Sequence, residues 1–255
     1  MRDIILNEVS KASALLSGDT KVDDVKVAIS LIARYDVQAA GIDKDTAAAH
    51  VRQVVRKLFP GVPLARIDRL IEHHAAHAEE YPLCVMNGIP ITQQELDVVL
   101  GREGIRAKCL TFALLALAKY DTMRYPSVDY WYNGERWNEL ARRANLTLNE
   151  DDMCRIINRL WRDDLIGYAD RVDNCSMHVL FADSDGEPVM MLNDQDFRDL
   201  GYCLRAYLGD KYTRCEDCGR WIRQKSRGRP TRFCTDCAAG NHRNVVAAYK
   251  KRHKN

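Results

Sequence analysis

The chain contains no apolar run long enough to cross a bilayer. Its longest, Cys109 to Ala118, is interrupted by Thr111 and reaches about half of the ~20 residues that a transmembrane helix needs. The opening Met1-Arg2-Asp3-Ile4-Ile5-Leu6-Asn7-Glu8 has an acid where a signal peptide is basic, and no small-residue cleavage site follows. These absences predict a cytoplasmic protein, in a bacterial or host cytosol, with no membrane partner. A phosphate-cradling glycine loop, a nucleophile elbow and a paired-carboxylate signature are missing too. No enzymatic activity is expected on that ground. Net charge is also scarce, at +2 from 38 Lys and Arg against 36 Asp and Glu.

That near-balance conceals an asymmetry. From Arg214 onward twelve bases stand against three acids, whereas the rest of the chain holds 26 bases and 33 acids. An acidic body with a basic tail puts the footprint for a polyanion at the C-terminus. The competing arrangement is a tail docked on the acidic body in cis. The length, 255 residues, fits two or three small domains, and 46 % hydrophobic with 29 % charged residues is an ordinary globular composition.

Nine cysteines are present, four of them in two Cys-x-x-Cys pairs. Cys215-Glu216-Asp217-Cys218 and Cys234-Thr235-Asp236-Cys237 are separated by 15 residues, the spacing of a structural zinc site. Each pair can turn two sulfurs toward one point, and two pairs complete a tetrahedral shell around Zn²⁺. Disulfides are the competing reading, disfavoured by the spacing and by the missing secretory signal. Cysteines 84, 109, 154, 175 and 203 lie mostly beside apolar residues and are expected to be buried free thiols. Between the pairs stand Arg220, Arg223, Lys225, Arg227, Arg229 and Arg232, and Arg243, Lys250, Lys251 and Arg252 follow. A metal-pinned hairpin with that much positive charge predicts contact with nucleic-acid phosphates.

Residues 1–82 read as a helical domain. Val25, Ala28, Ile29 and Ile32 recur at helical spacing, as do Val51, Val54, Val55 and Leu58, and then Leu64, Ile67, Leu70 and Ile71. His73 and His77 share a helical face and could grip a metal with Glu80, although a solvated polar face is the simpler reading. A bundle for partner binding or self-association is the expected role of this block, and the acidic, mostly helical body before Arg214 is the candidate surface for a protein partner. Residues 81–92 read as a linker, after which Thr92-Gln93-Gln94-Glu95 matches a capping box. A second domain is expected over 92–210. A core helix is expected from Ile105 to Asp121, then a turn-rich aromatic stretch to Gly134 and a short helix from Glu135 to Ala144. Asn149 can cap the next helix, with Glu150, Asp151 and Asp152 complementing its dipole. That helix carries Met153, Ile156, Ile157 and Leu160 on one face and Arg155, Arg159 and Arg162 on another. Strands are expected over Leu165–Ala169 and Ser176–Phe181, with a turn near Asp173-Asn174.

Residues 105–181, as helix, helix, turn, helix and hairpin, resemble a winged helix-turn-helix. The resemblance implies that Arg155, Asn158, Arg159 and Arg162 face DNA and that Arg171 sits near the wing. Trp131, Trp137 and Trp161 are assigned to core or rim packing. Asp183-Ser184-Asp185-Gly186-Glu187 reads as a hairpin turn leading into Val189–Leu192, and a helix through Phe197, Leu200, Cys203, Leu204 and Tyr207 joins the zinc unit over 211–255. Within it Trp221-Ile222 and Arg232-Phe233 are expected to pair, before a closing helix from Asn244 to Arg252. Ser226-Arg227, Arg232-Phe233-Cys234 and Gly240-Asn241-His242-Arg243 make Cys215–Arg252 similar to the CGNR-type treble-clef zinc finger of bacterial transcription regulators. Ala238-Ala239 and His242 depart from that pattern.

The expected fold is mainly α with small β. The expected function is that of a zinc-containing DNA-binding protein, a transcription or replication regulator or an accessory factor of a phage or mobile element. Duplex DNA is favoured as ligand over RNA. One alternative is a non-enzymatic module that inhibits or recruits a host polymerase or nuclease ribonucleoprotein. A minor one is an HNH-like nuclease using His242 beside Asn241.

Overall fold

The computed structural model describes residues 4–134, 137–168, 175–183, 185–225, 228–241 and 243. The chain is mainly α with small β sheets, and its described residues divide into two compact units, one ending at Asn87 and one beginning at Gly88.

In the first unit α1 (Glu8–Ser17), α2 (Val25–Gln38) and α3 (Lys44–Leu58) each begin at an acid or amide. Asn7, Asp24 and Asp43 turn a side-chain oxygen onto a free backbone N–H of the first turn. With α4 (Leu64–Ala76) they bury Leu15, Ile29, Ile32, Val51, Val55 and Ile71 in one core. Beside that core Arg34 donates two hydrogen bonds of 2.8 Å to the Glu8 carboxylate. Glu8 also accepts from the Cys84 N–H at 2.8 Å, so the chain after α4 is strapped back to α1.

The second unit is built on α6 (Ile105–Arg124), whose residues Cys109 to Asp121 are all buried. A helix buried on every side has no polar face, yet α6 carries Lys119. Its ammonium meets both Glu95 oxygens, at 2.7 and 2.9 Å, and the Asp183 carbonyl at 2.8 Å. Glu95 lies in α5 (Gln93–Leu100) and completes the Thr92 capping box as well. It also accepts the Asp183 N–H. One carboxylate therefore satisfies a helix start, a buried cation and a distant loop, which is the condition for burying such groups at all.

Residues 89–92 are not a linker. They form β1 (Ile89–Thr92), paired antiparallel with β5 (Pro188–Leu192) from Ile89↔Leu192 onward. Ile89 and Ile91 are fully buried while Pro90 is not, the alternation of a half-buried strand. Val189–Leu192 is therefore claimed by β1 and does not return on Ser176–Phe181.

After α6 come β2 (Trp131–Gly134), α7 (Trp137–Arg143), α8 (Glu150–Arg162), β3 (Ile166–Tyr168) and β4 (Cys175–Val179). The three strands form an antiparallel sheet in the order β2-β4-β3. The aromatic stretch read as turn-rich does turn, through a short 3-10 helix at Pro126–Val128, but ends in a strand: Tyr132 is buried, and Trp131 stacks on His178, ring centroids 5.1 Å apart. Asn149 caps α8 through the Asp152 N–H at 2.7 Å. Arg171 and the Asp173-Asn174 turn lie outside the described residues. The unit continues through α9 (Leu200–Tyr207) into the hairpin of β6 (Tyr212–Arg214) and β7 (Trp221–Arg223).

Candidate metal centre

The first cysteine pair is the turn of the β6–β7 hairpin. Strand register sets Arg214 opposite Trp221, and the Cys215 N–H donates to the Arg220 carbonyl at 2.8 Å. The Gly219 N–H closes the knuckle on the Cys215 carbonyl at 2.9 Å. Gly219 takes φ +69°, the left-handed conformation that favours glycine, and a Cβ there would displace the Gln195 side chain. The knuckle overturns the expected pairing of Trp221-Ile222 with Arg232-Phe233. β7 pairs with β6, and the Arg232 carbonyl instead accepts the Glu216 N–H at 3.0 Å.

The second pair sits at the start of a helix. Residues 235–241 are helical, so Cys234 immediately precedes the first turn and Cys237 falls within it. The closing helix therefore begins well before Asn244, and Asn244 to Arg252 lies outside the described residues. All four sulfurs lie within 4.8 Å of one another, with Cys218 Sγ and Cys234 Sγ 3.7 Å apart. A tetrahedron with metal–sulfur bonds of about 2.3 Å has edges of about 3.8 Å, whereas a disulfide needs about 2.05 Å. The quartet can hold a metal ion, and its four thiols are free.

Electrostatics argue the same way. Burial works to raise the Cys215 thiol, but N–H groups of Cys218, Cys234 and Asp217 outweigh it and bring it to about 6. Cys237 is pushed far upward, first by its hydrogen bond to Cys234 and then by burial. Four adjacent sulfurs cannot all ionise beside one another unless a cation joins them. Among the described residues no other His, Cys, Asp or Glu group gathers in this way. His73 and His77 pack ring on ring at 4.4 Å, and His77 Nδ1 is bonded to the His73 carbonyl at 2.8 Å.

Two buried carboxylates tie the knuckle into the unit. Asp196 Oδ1 accepts from Arg214 at 2.7 Å and from the Trp221 indole at 2.8 Å, with the Arg214 guanidinium 4.4 Å from the indole centroid. Asp199 accepts two bonds from Arg220, at 3.0 and 3.1 Å, and one from Asn145 at 3.1 Å. Asn145, in the turn between α7 and α8, in turn accepts the Tyr202 N–H of α9 at 3.0 Å. At Gly201 a Cβ would stand 1.8 Å from the Ala144 carbonyl, so α9 touches that turn backbone to backbone. The knuckle, α9 and the α7–α8 turn form one bonded assembly. No motif in the sequence marks Asp196 or Asp199.

The cations singled out from sequence fall into three groups. Some are engaged in cis: Arg220 with Asp199, Arg232 with Glu216 at 2.7 Å, Arg155 with Asp152 at 3.1 Å, and Arg159 with Glu103. Others are exposed and have no acidic partner among the described residues, namely Arg162, Arg223, Lys225 and Arg229. Arg243 is exposed and bonds the Ala239 carbonyl. Arg171, Arg227, Lys250, Lys251, Arg252 and His242 lie outside the described residues.

Asn158 is exposed on α8, facing the Tyr168 hydroxyl at 3.5 Å. Trp161 is 51 % exposed and Tyr168 45 %, so Trp161 belongs to the surface of α8 and not to a core. Cys154 shares that exposed face, whereas Cys109 and Cys203 are buried thiols pushed by burial to about 11 and about 12.

Comparison with protein-family models, curated proteins and solved structures found no match. Among the described residues no helix is long and apolar enough to cross a membrane.

Proposed function

We propose that this chain is a non-enzymatic, zinc-containing DNA-binding protein in which residues 105–179 act as a winged helix. The observation that carries the reading is topological. A helix, a strand, two helices and two strands follow one another with sheet order β2-β4-β3, and α8 presents Arg155, Asn158, Arg159 and Arg162 on its exposed face. In helix-turn-helix proteins the second helix of the motif enters the major groove, and α8 has that place here. Arginine and asparagine are the side chains suited to reading guanine and adenine edges. Zinc is the metal best matched to the cysteine quartet, because four thiolates in a tetrahedron select Zn²⁺ or an iron–sulfur centre, and the knuckle-and-helix frame is closed as structural zinc sites are. A role in regulating transcription or replication accords with such a binder.

Metal analysis of the purified full-length protein should find one zinc per chain. Co²⁺ substituted for it should give the visible bands of a tetrahedral thiolate site. Iron in place of zinc would defeat the metal assignment. Binding to a library of duplexes, read by selection and sequencing, should yield a preferred site whose discrimination drops by about 10-fold or more in Arg155→Ala/Arg159→Ala. No duplex binding at low salt, or unchanged site preference in that variant, would defeat the α8 assignment. One observation favours a second reading, a protein partner seated on α8. Arg155 and Arg159 already face Asp152 and Glu103, and Trp161 and Tyr168 are exposed beside them.

A further inference from the structure

The β6–β7 hairpin has two ends, and only one carries the cysteines. At the other, between the hairpin and the end of α9, opens a cavity of about 650 Å³. Four cations line it, Arg205, Lys211, Arg223 and Lys225, against the single carboxylate of Asp210. Asp210 is taken by Arg205 at 2.6 Å. Lys211, Arg223 and Lys225 have no acidic partner among the described residues.

Tyr212 supplies a second and independent sign. It stands directly opposite Arg223 in the strand register, so both side chains leave the same face of the hairpin. Its ring packs on Tyr202, centroids 4.9 Å apart, and under the Arg205 guanidinium at 5.4 Å. The residue is 9 % exposed, and its buried hydroxyl has no hydrogen-bond partner among the described residues. A buried donor left unpaired carries a desolvation penalty and asks for an explanation. Tyr212 lines the same cavity as the three unneutralised cations, and an anion with acceptor oxygens is the ligand whose chemistry suits both. The wall is also fixed in place. Gln224 is held through its side-chain amide by Thr213 and by both backbone groups of Thr231, which sets Arg223 and Lys225 on either side of it.

We propose that this cavity takes the phosphate of a nucleic-acid backbone, with Lys211, Arg223 and Lys225 as the charge and Tyr212 as a hydrogen-bond donor. The inference rests on the nucleic-acid reading above and adds to it an anchoring site away from α8. Its volume falls among those of small-ligand sites, about 300–1,000 Å³, room for one nucleotide unit.

The test is fluorescence anisotropy of a labelled duplex with the full-length, zinc-loaded protein over a salt series. Each phosphate contact contributes about 0.9 to the slope of log K against log salt. Lys211→Gln/Arg223→Gln/Lys225→Gln should lower the slope by about 2 to 3, and weaken binding at low salt by 10-fold or more. Tyr212→Phe keeps the ring and removes only the unpaired hydroxyl. It should weaken binding by a few-fold with thermal stability unchanged or raised, and a purely structural Tyr212 would leave binding alone.

Wild-type protein that binds duplex while the triple variant keeps its slope would overturn the cavity and leave the α8 reading standing. Wild-type protein that binds no duplex would overturn both. Adenosine monophosphate and inorganic phosphate serve as competitors. Loss of binding of either in the triple variant, with duplex binding untouched, would mark the site as one for free phosphate or its monoesters and overturn the backbone assignment.

Discussion

Asp199 is 1 % exposed and collects three hydrogen bonds from two elements, so its removal tests whether the knuckle is bonded into its unit. Asp199→Ala leaves Arg220 and Asn145 without their acceptor. Breaking a buried pair by removing one partner costs about 3–5 kcal/mol. Arg220 is 39 % exposed at its side chain and can recover water, which lowers the expected cost to about 2–3 kcal/mol. For a unit of this size about 2–4 °C of Tm accompanies each kcal/mol, so a drop of about 5–10 °C is expected in a thermal melt. Arg220→Met should cost as much or more, because it leaves a buried carboxylate with Asn145 alone. A double-mutant cycle then isolates the pair, and its coupling should be about 1.5–2.5 kcal/mol. Additive losses, with coupling under about 0.5 kcal/mol, would refute the argument. A second readout separates structure from binding. Arg220→Met should leave the salt slope on DNA unchanged, because its charge is already met by Asp199.

Gly201→Ala places a methyl 1.8 Å from the Ala144 carbonyl, an obstacle of backbone and not of a movable side chain. It should cost at least about 3 kcal/mol in urea denaturation, at the upper end for overpacking. A loss under about 1 kcal/mol would mean that α9 and the α7–α8 turn are not in contact. In the first unit burial, and then the charges of His73, Arg34 and His77, hold the His74 pKa below its ordinary 6.5. The unfolded chain therefore takes up this proton first as pH falls. Stability present above pH 6.5 is lost toward and through the lower folded value. His74→Gln should flatten the pH dependence of the melt between about pH 7 and 5, and an unchanged profile would assign that dependence to other groups.

The features legible in the sequence are those that a local rule determines. The spacing of Cys215, Cys218, Cys234 and Cys237 fixes a common centre because each pair needs only its own knuckle. The Thr92–Glu95 box, the Asn149 cap and the buried helix α6 follow from patterns a few residues long. What escaped is non-local. β1 was hidden by Gly88 and Pro90, whose usual meaning is loop, and its partner β5 lies about 100 residues on. β2 was hidden because aromatic residues beside Asn-Gly serve turns and strands alike. Arg220 was grouped with its basic neighbours because a count of charge says nothing about which charges are already met. Asp196 and Asp199 look like any surface acids until the fold buries them.

That distinction between met and unmet charge sorts the hairpin. At its knuckle end Arg214 and Arg220 are bonded to Asp196 and Asp199, and Arg232 to Glu216. At its open end Lys211, Arg223 and Lys225 have no acidic partner among the described residues. The two ends are joined by one ladder of three residue pairs, Arg214↔Trp221, Thr213↔Ile222 and Tyr212↔Arg223. A hairpin this short is marginal by itself. Its register is held from one side by the knuckle and from the other by the packing of Tyr212 on Tyr202. A one-residue slip of β7 against β6 would turn Arg223 away from the face that Tyr212 occupies, taking one cation from the cavity. A metal bound by the four sulfurs would therefore act on the proposed anion site through strand register, and through the Asp196 and Asp199 bonds that tie the knuckle to the segment entering α9, touching none of the side chains that line the cavity.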